Sequence, residues 1–187
     1  MRTARAIALG LAASLLVVTG GATARAERVR PPRCGEPRPA PARLTSLRQL
    51  DWCNHDYGGH KGPLRAGRGS LHLYRQLDRP HDTINTRLAG VVYGDLDGDR
   101  QVEAAVILHI VSWFPGPTET RTSERTTLYL YQLGPTGPTE LGRVDVAGPV
   151  RAVTIHRGVI DVVGADRRRE RYQHQGDDGL VLVPRSP

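Results

Sequence analysis

The run Ala104-Ala105-Val106-Ile107-Leu108 is the strongest constraint on what this chain can become. It is apolar at consecutive positions, so a strand built from it has no face to offer to water. Such a strand belongs in the middle of a sheet, covered on both sides. Around it the pattern shifts to short two-periodic runs. Leu71, Leu73 and Leu77 alternate with His72, Tyr74 and Gln76, and Leu128 and Leu130 with Tyr129 and Tyr131. Val153 and Ile155 alternate with Thr154 and His156, and Ile160 and Val162 with Asp161. Turn pairs fall between the runs: Gly134-Pro135, Gly137-Pro138, Gly148-Pro149, Arg157-Gly158 and Asp178-Gly179. Short alternating runs punctuated this way indicate antiparallel β structure.

Strands are expected at 88–93, 103–112, 126–133 and 140–146, and again at 150–156, 159–163, 170–174 and 180–183. These make two four-stranded meanders. A propeller uses such units as blades, but two blades do not close a ring. The expectation is an all-β fold, a small sandwich or curled sheet of antiparallel meanders. Leu44, Leu47 and Leu50 recur at the spacing of one short N-terminal helix.

The N-terminus reads as a targeting segment. Arg2 and Arg5 precede an apolar stretch from Ala6 to Val18, and small residues end in Ala24-Arg25-Ala26. This order is that of a secretory signal peptide over 1–26, and the apolar stretch is short for a membrane span. Residues 27–43 carry Pro31, Pro32, Pro37, Pro39 and Pro41 and read as an extended linker or arm. A single β domain is expected over 44–187, with no membrane span after cleavage and a periplasmic or extracellular location. Cys34 and Cys53 are the only cysteines. In an exported chain they are expected to pair.

Charge excludes little but does narrow the partners. Taking Arg2, Arg5 and Arg25 from the 26 basic residues leaves 23 against 19 acidic ones, a net charge of +4. The longest basic run, Arg167-Arg168-Arg169, is followed by Glu170 and lacks interleaved aromatics. That is a solvated face rather than a nucleic-acid groove. A protein or glycan partner is compatible with the exposed-loop aromatics of Trp113-Phe114-Pro115-Gly116-Pro117.

The densest chemistry lies just before the apolar run, in Tyr93-Gly94-Asp95-Leu96-Asp97-Gly98-Asp99-Arg100-Gln101-Val102-Glu103. Four carboxylates in nine positions repel unless something neutralises them. A hard divalent cation does so, since calcium takes six to eight oxygen ligands. Asp95, Asp97 and Asp99 stand at alternate positions, Gln101 would add its carbonyl, and Glu103 follows. An EF-hand is excluded, because position 12 is Val106 rather than glutamate and the flanks read as strands. The other means of neutralisation is Arg100, whose guanidinium can lie on Asp95 or Asp97.

This stretch resembles the D-x-D-G-D-G-x-x-D/E loop of FG-GAP and related bacterial extracellular repeats. More widely, "LRQLDWCNHDY", "VYGDLDGD..VEAAV" and "TTLYLYQL" resemble an uncharacterised group of exported bacterial proteins. The resemblance implies calcium held between two strands by Asp95, Asp97, Asp99 and Glu103, and brings no catalytic activity with it. One departure is Arg100, where that pattern has glycine in the left-handed region of backbone space.

A second cluster, His55, Asp56 and His60, has the residue types of an acid–base pair or a zinc site, but the histidine spacing fits no zinc pattern. His109, alone in the apolar strand, reads as a hydrogen-bonded core histidine. The leading expectation is an exported, calcium-stabilised, non-enzymatic β domain with a binding or envelope-associated role. The competing one is a small secreted hydrolase using His55, Asp56 and His60 with the acidic loop.

Overall fold

A computed structural model describes residues 26–39, 41–57, 63–73, 82–116, 119–176 and 179–183. Residues 1–25 of the expected signal peptide, His60 and Leu77 lie outside them. Ten strands occur among the described residues: β1 (Glu27–Arg28), β2 (Arg68–Leu73), β3 (Asp82–Gly94), β4 (Glu103–Pro115), β5 (Thr120–Gly134), β6 (Gly137–Val146), β7 (Val150–His156), β8 (Val159–Gly164), β9 (Arg169–His174) and β10 (Leu180–Leu182). They form two five-stranded sheets in the orders β2-β3-β4-β5-β6 and β1-β7-β8-β9-β10, every pair antiparallel. The all-β sandwich of two meanders is therefore observed, each meander lengthened by one edge strand.

β4 sits at the centre of the first sheet, as its apolar run requires. Ala104 through Leu108 are all fully buried. Alternation sends Ala105 and Ile107 toward the second sheet, where they meet Val153, Ile155, Ile160 and Val162. Ala104, Val106 and Leu108 point the other way, into a layer built from Leu47, Trp52, Cys53, Tyr57 and Leu64. β5 obeys the same rule, with Leu128 and Leu130 inward and Tyr129 and Tyr131 outward. The fold thus has three layers, the outermost being an irregular N-terminal segment.

That segment does not contain the expected helix. Two three-residue 3-10 turns, Leu47–Gln49 and Trp52–Asn54, replace it. Ser46 caps the first by accepting from the Arg48 amide at 3.2 Å. The leucine spacing still serves burial, since Leu47 is buried and Leu50 packs partly against the cluster. The proline-rich lead is extended but docked. Glu27 and Arg28 pair with Val153 and Ala152 at the edge of β7. Farther along, Cys34 is bonded to Cys53, with Cα atoms 5.5 Å apart. The disulfide fits a non-cytoplasmic environment. No described helix is long and apolar enough to cross a membrane.

Cys34 and Cys53 are separated by 19 positions. Closing a loop of that size stabilises by about 3 kcal/mol in the chain-entropy description. The double change Cys34→Ser, Cys53→Ser is expected to lower urea stability by that order. An unchanged unfolding midpoint would show that the arm does not hold the outer layer in place.

Candidate metal centre

The 95–102 connection joins β3 to β4 and is fixed at both ends before any ligand is considered. Gly94 closes β3 against β7: a Cβ there would lie 2.6 Å from both the carbonyl oxygen and the Cβ of Ile155. Only glycine permits that approach. Leu96 is 4 % exposed and packs among the inter-sheet residues. Its carbonyl accepts from the Gly158 amide at the tip of the β7–β8 hairpin. Its own N–H donates to Glu103 Oε2 at 2.6 Å. The loop is thereby pinned where the two sheets meet.

Between these anchors the aspartates turn inward. Asp95, Asp97 and Asp99 each place a carboxylate oxygen within 4.8 Å of the other two. Backbone amides organise them. Gly98 N–H donates to Asp95 Oδ1 at 2.6 Å and Arg100 N–H to Asp95 Oδ2 at 3.2 Å. Asp99 N–H donates to Asp97 Oδ1 at 3.1 Å, and Gln101 N–H to Asp99 Oδ1 at 2.7 Å. Each is a short-range side-chain-to-backbone turn of the kind aspartate favours. Gln101 also donates through Nε2 to Asp99 Oδ2 at 3.0 Å.

Arg100 adopts φ +70° and Gly98 φ +86°. The backbone therefore takes the left-handed turn that glycine usually provides, at a cost of about 1–2 kcal/mol for arginine. Among the described residues no ion pair joins the Arg100 side chain to Asp95, Asp97 or Asp99. Three converging carboxylates outside any described ion pair form a donor set suited to a hard divalent ion. The cluster could hold a metal ion.

Glu103 stands apart from the three. It is 5 % exposed and lies on the inter-sheet side of β4. Burial pushes its carboxyl above the ordinary glutamate range. The Leu96 amide opposes that rise, and Asp97 and Asp99 add to it. Its role in the loop, a receptor for the Leu96 N–H, was not visible in the spacing.

Of the second cluster, His55 and Asp56 are described, and they lie elsewhere. The His55 ring packs at 5.3, 4.9 and 5.7 Å from the rings of Trp52, Tyr57 and Tyr131. That is the outer face of the first sheet, opposite the face that carries Leu96 and Glu103. Burial pushes His55 below the ordinary histidine range. Trp52 Nε1 donates to the Tyr93 hydroxyl at 3.0 Å, and Arg48 lies 4.3 Å above the Tyr93 ring. Asp56 bridges Pro63 through backbone pairing. His109, expected as a hydrogen-bonded core histidine, is hydrogen-bonded, with Nε2 2.6 Å from Glu124 Oε1, but only half-buried.

No protein-family profile, curated protein or solved structure matches this chain. The site must therefore be judged on its own geometry.

The raised Glu103 pKa has a sign that can be checked. A carboxyl harder to ionise when folded costs stability above its folded pKa and nothing below its unfolded one. In metal-free buffer, the Glu103 contribution should improve as pH falls from neutrality through the window just above 4.5, the ordinary glutamate value. Glu103→Gln keeps an acceptor for Leu96 and removes the charge. The stability of wild type relative to this variant is expected to rise on acidification across that window. A flat difference would show that Glu103 is not held in a desolvated site.

Proposed function

We propose that this chain is an exported, non-enzymatic β-sandwich domain whose 95–103 loop binds one calcium ion, and that it serves a binding role at or outside the cell envelope. Asp95, Asp97 and Asp99 supply the side-chain ligands and Gln101 its backbone carbonyl. Glu103 holds the loop closed through the Leu96 amide rather than ligating directly. The observation that carries this reading is the convergence of three aspartate oxygens within 4.8 Å. The absence of an ion pair from Arg100 to them, among the described residues, supports it. The FG-GAP-like pattern of the loop agrees with it. Calcium suits the site because its coordination shell is flexible and built from oxygen, and extracellular sites bind it at about 10⁻⁴–10⁻³ M. The disulfide supports export, since such bonds persist in oxidising compartments.

The loop carries Leu96 into the inter-sheet core, so an ion that orders the loop should stabilise the sandwich. At a hundredfold excess over its dissociation constant, a ligand of the folded state alone adds about 2.7 kcal/mol. Chelator is expected to lower the melting temperature by several degrees and Asp97→Asn to weaken that response. Arg100→Gly should tighten binding, because glycine relieves the left-handed backbone and removes a neighbouring positive charge. Calorimetric titration with millimolar calcium reads this directly. No heat and no chelator response would end the calcium reading. Export is tested separately by intact mass: recovered protein should begin at Glu27.

A further inference from the structure

The first sheet is longer than the sheet that covers it. The covering strands reach Ala105 and Ile107 of β4 and Leu128 and Leu130 of β5. The same face of β4 then continues through His109, Val111 and Trp113 with no described residue of the second sheet upon it. β4 pairs in unbroken register with β5 here. Its partners on β3 are Arg87, Asn85 and Thr83, opposite His109, Val111 and Trp113 in that order. β2 extends the rows with Arg68, Ser70 and His72, opposite Arg87, Asn85 and Thr83. The result is a three-by-three grid of side chains on one face, left uncovered by the second sheet among the described residues. A concavity of about 680 Å³ runs over it, lined by Arg68, Ser70, Asn85, Arg87, His109 and Val111. That volume is in the range of sites for small organic ligands.

Charge identifies what would fill it. Arg68 and Arg87 stand directly opposite each other across β2 and β3. Like charges in that relation destabilise a sheet. Both side chains are exposed, and among the described residues neither forms an ion pair. Glu124, opposite Val111 on the adjoining β5, is already engaged by His109. Two adjacent guanidinium groups without a carboxylate form a fork that an oxyanion would complete by charge-assisted hydrogen bonds. Below them the grid offers the hydroxyl of Ser70 and the amide of Asn85. At its far end Trp113 is 37 % exposed. Trp113 lies four positions beyond His109 along β4, a span of about 13 Å.

A peptide adding to a sheet would use the backbone groups of an open edge. This surface is a face, and on β3 and β4 those groups are already used in the ladder. Recognition must come from side chains: a cationic fork, small polar groups and one flat ring. The C–H face of a sugar ring matches the indole, and its hydroxyls match Ser70 and Asn85. We propose that this half-sheet binds an acidic oligosaccharide, with a uronate carboxylate held by Arg68 and Arg87 and a neighbouring ring laid on Trp113. None of these residues belongs to the carboxylate loop, so this site and the calcium site stand or fall independently.

The test is calorimetric titration of the full mature chain at low ionic strength. The probes are oligomers of galacturonic, mannuronic and glucuronic acid, their methyl esters, a short poly-glutamate peptide and inorganic phosphate. At least one uronate oligomer is expected to bind, and its ester at least tenfold more weakly. Arg87→Gln and Trp113→Ala should each weaken binding at least tenfold, and Asp97→Asn should not change it. Failure of every uronate oligomer to bind overturns the proposal, as does equal binding of acid and ester. So does tighter binding of the glutamate peptide or of phosphate alone. A second measurement needs no ligand. If the two arginines only repel in the free protein, Arg87→Gln should leave the melting temperature unchanged or raised at low salt. A lowered one would show that Arg87 already has a structural partner, and would remove the charge argument.

Discussion

Burial of β4 on both faces is the constraint from which the other layers follow. Five consecutive residues, Ala104 to Leu108, are withdrawn from water. A sheet with such a strand at its centre is stable only if something covers each side. The inner cover is the second meander, whose β7 and β8 present Val153, Ile155, Ile160 and Val162. The outer cover is harder to supply, because no further sheet exists among the described residues. It comes from residues 44–57 and 63–64, which have little regular structure and hold position through side chains: the buried Leu47, Trp52, Tyr57 and Leu64, the Tyr57 hydroxyl donating to the Trp52 carbonyl at 2.8 Å, and the bond from Cys53 to Cys34. The disulfide therefore matters for a specific reason. It ties down the layer with the least backbone pairing of its own.

The carboxylate loop is a consequence of the same arrangement. It leads directly into β4, and its geometry is set by what the strand must do next. Glu103 begins the strand and receives the Leu96 amide. Leu96 enters the inter-sheet core. Gly94 allows β3 to approach β7. Once those three positions are fixed, the residues between them must make a tight left-handed turn, and the aspartates are carried to its inner side. Their repulsion is partly met by backbone amides from Gly98, Asp99, Arg100 and Gln101. Amide dipoles orient carboxylates but do not cancel three charges. That residual charge is the physical case for a cation, and it couples ion binding to the junction between the sheets.

Much of this was legible in the sequence because burial leaves a periodic trace. The central position of β4, the alternation of Leu128 and Leu130 with Tyr129 and Tyr131, and the two-meander order all follow from apolar spacing alone. The left-handed residue at Arg100 followed from the position of glycine in similar loops. What the sequence concealed has equally physical causes. β3 begins at Asp82 and β5 at Thr120, well before the apolar runs, because backbone pairing continues where most side chains are polar. β1 is two exposed residues long and has no pattern to show. The outer layer folds by side-chain packing on 3-10 turns, which carry no usable period. The contact of Glu103 with the Leu96 amide was hidden too, since spacing does not reveal which face of a strand a carboxylate takes.

The most direct test of the account is a crystal structure of the mature protein grown in millimolar calcium. The account predicts one ion with oxygen atoms of Asp95, Asp97, Asp99 and the Gln101 carbonyl at about 2.3–2.6 Å, Glu103 still accepting the Leu96 amide, and Arg100 turned outward. The opposite result is an Arg100 guanidinium lying across Asp95 or Asp97 with no ion density between the carboxylates. That would make the loop a self-neutralised turn and contradict the account at its centre.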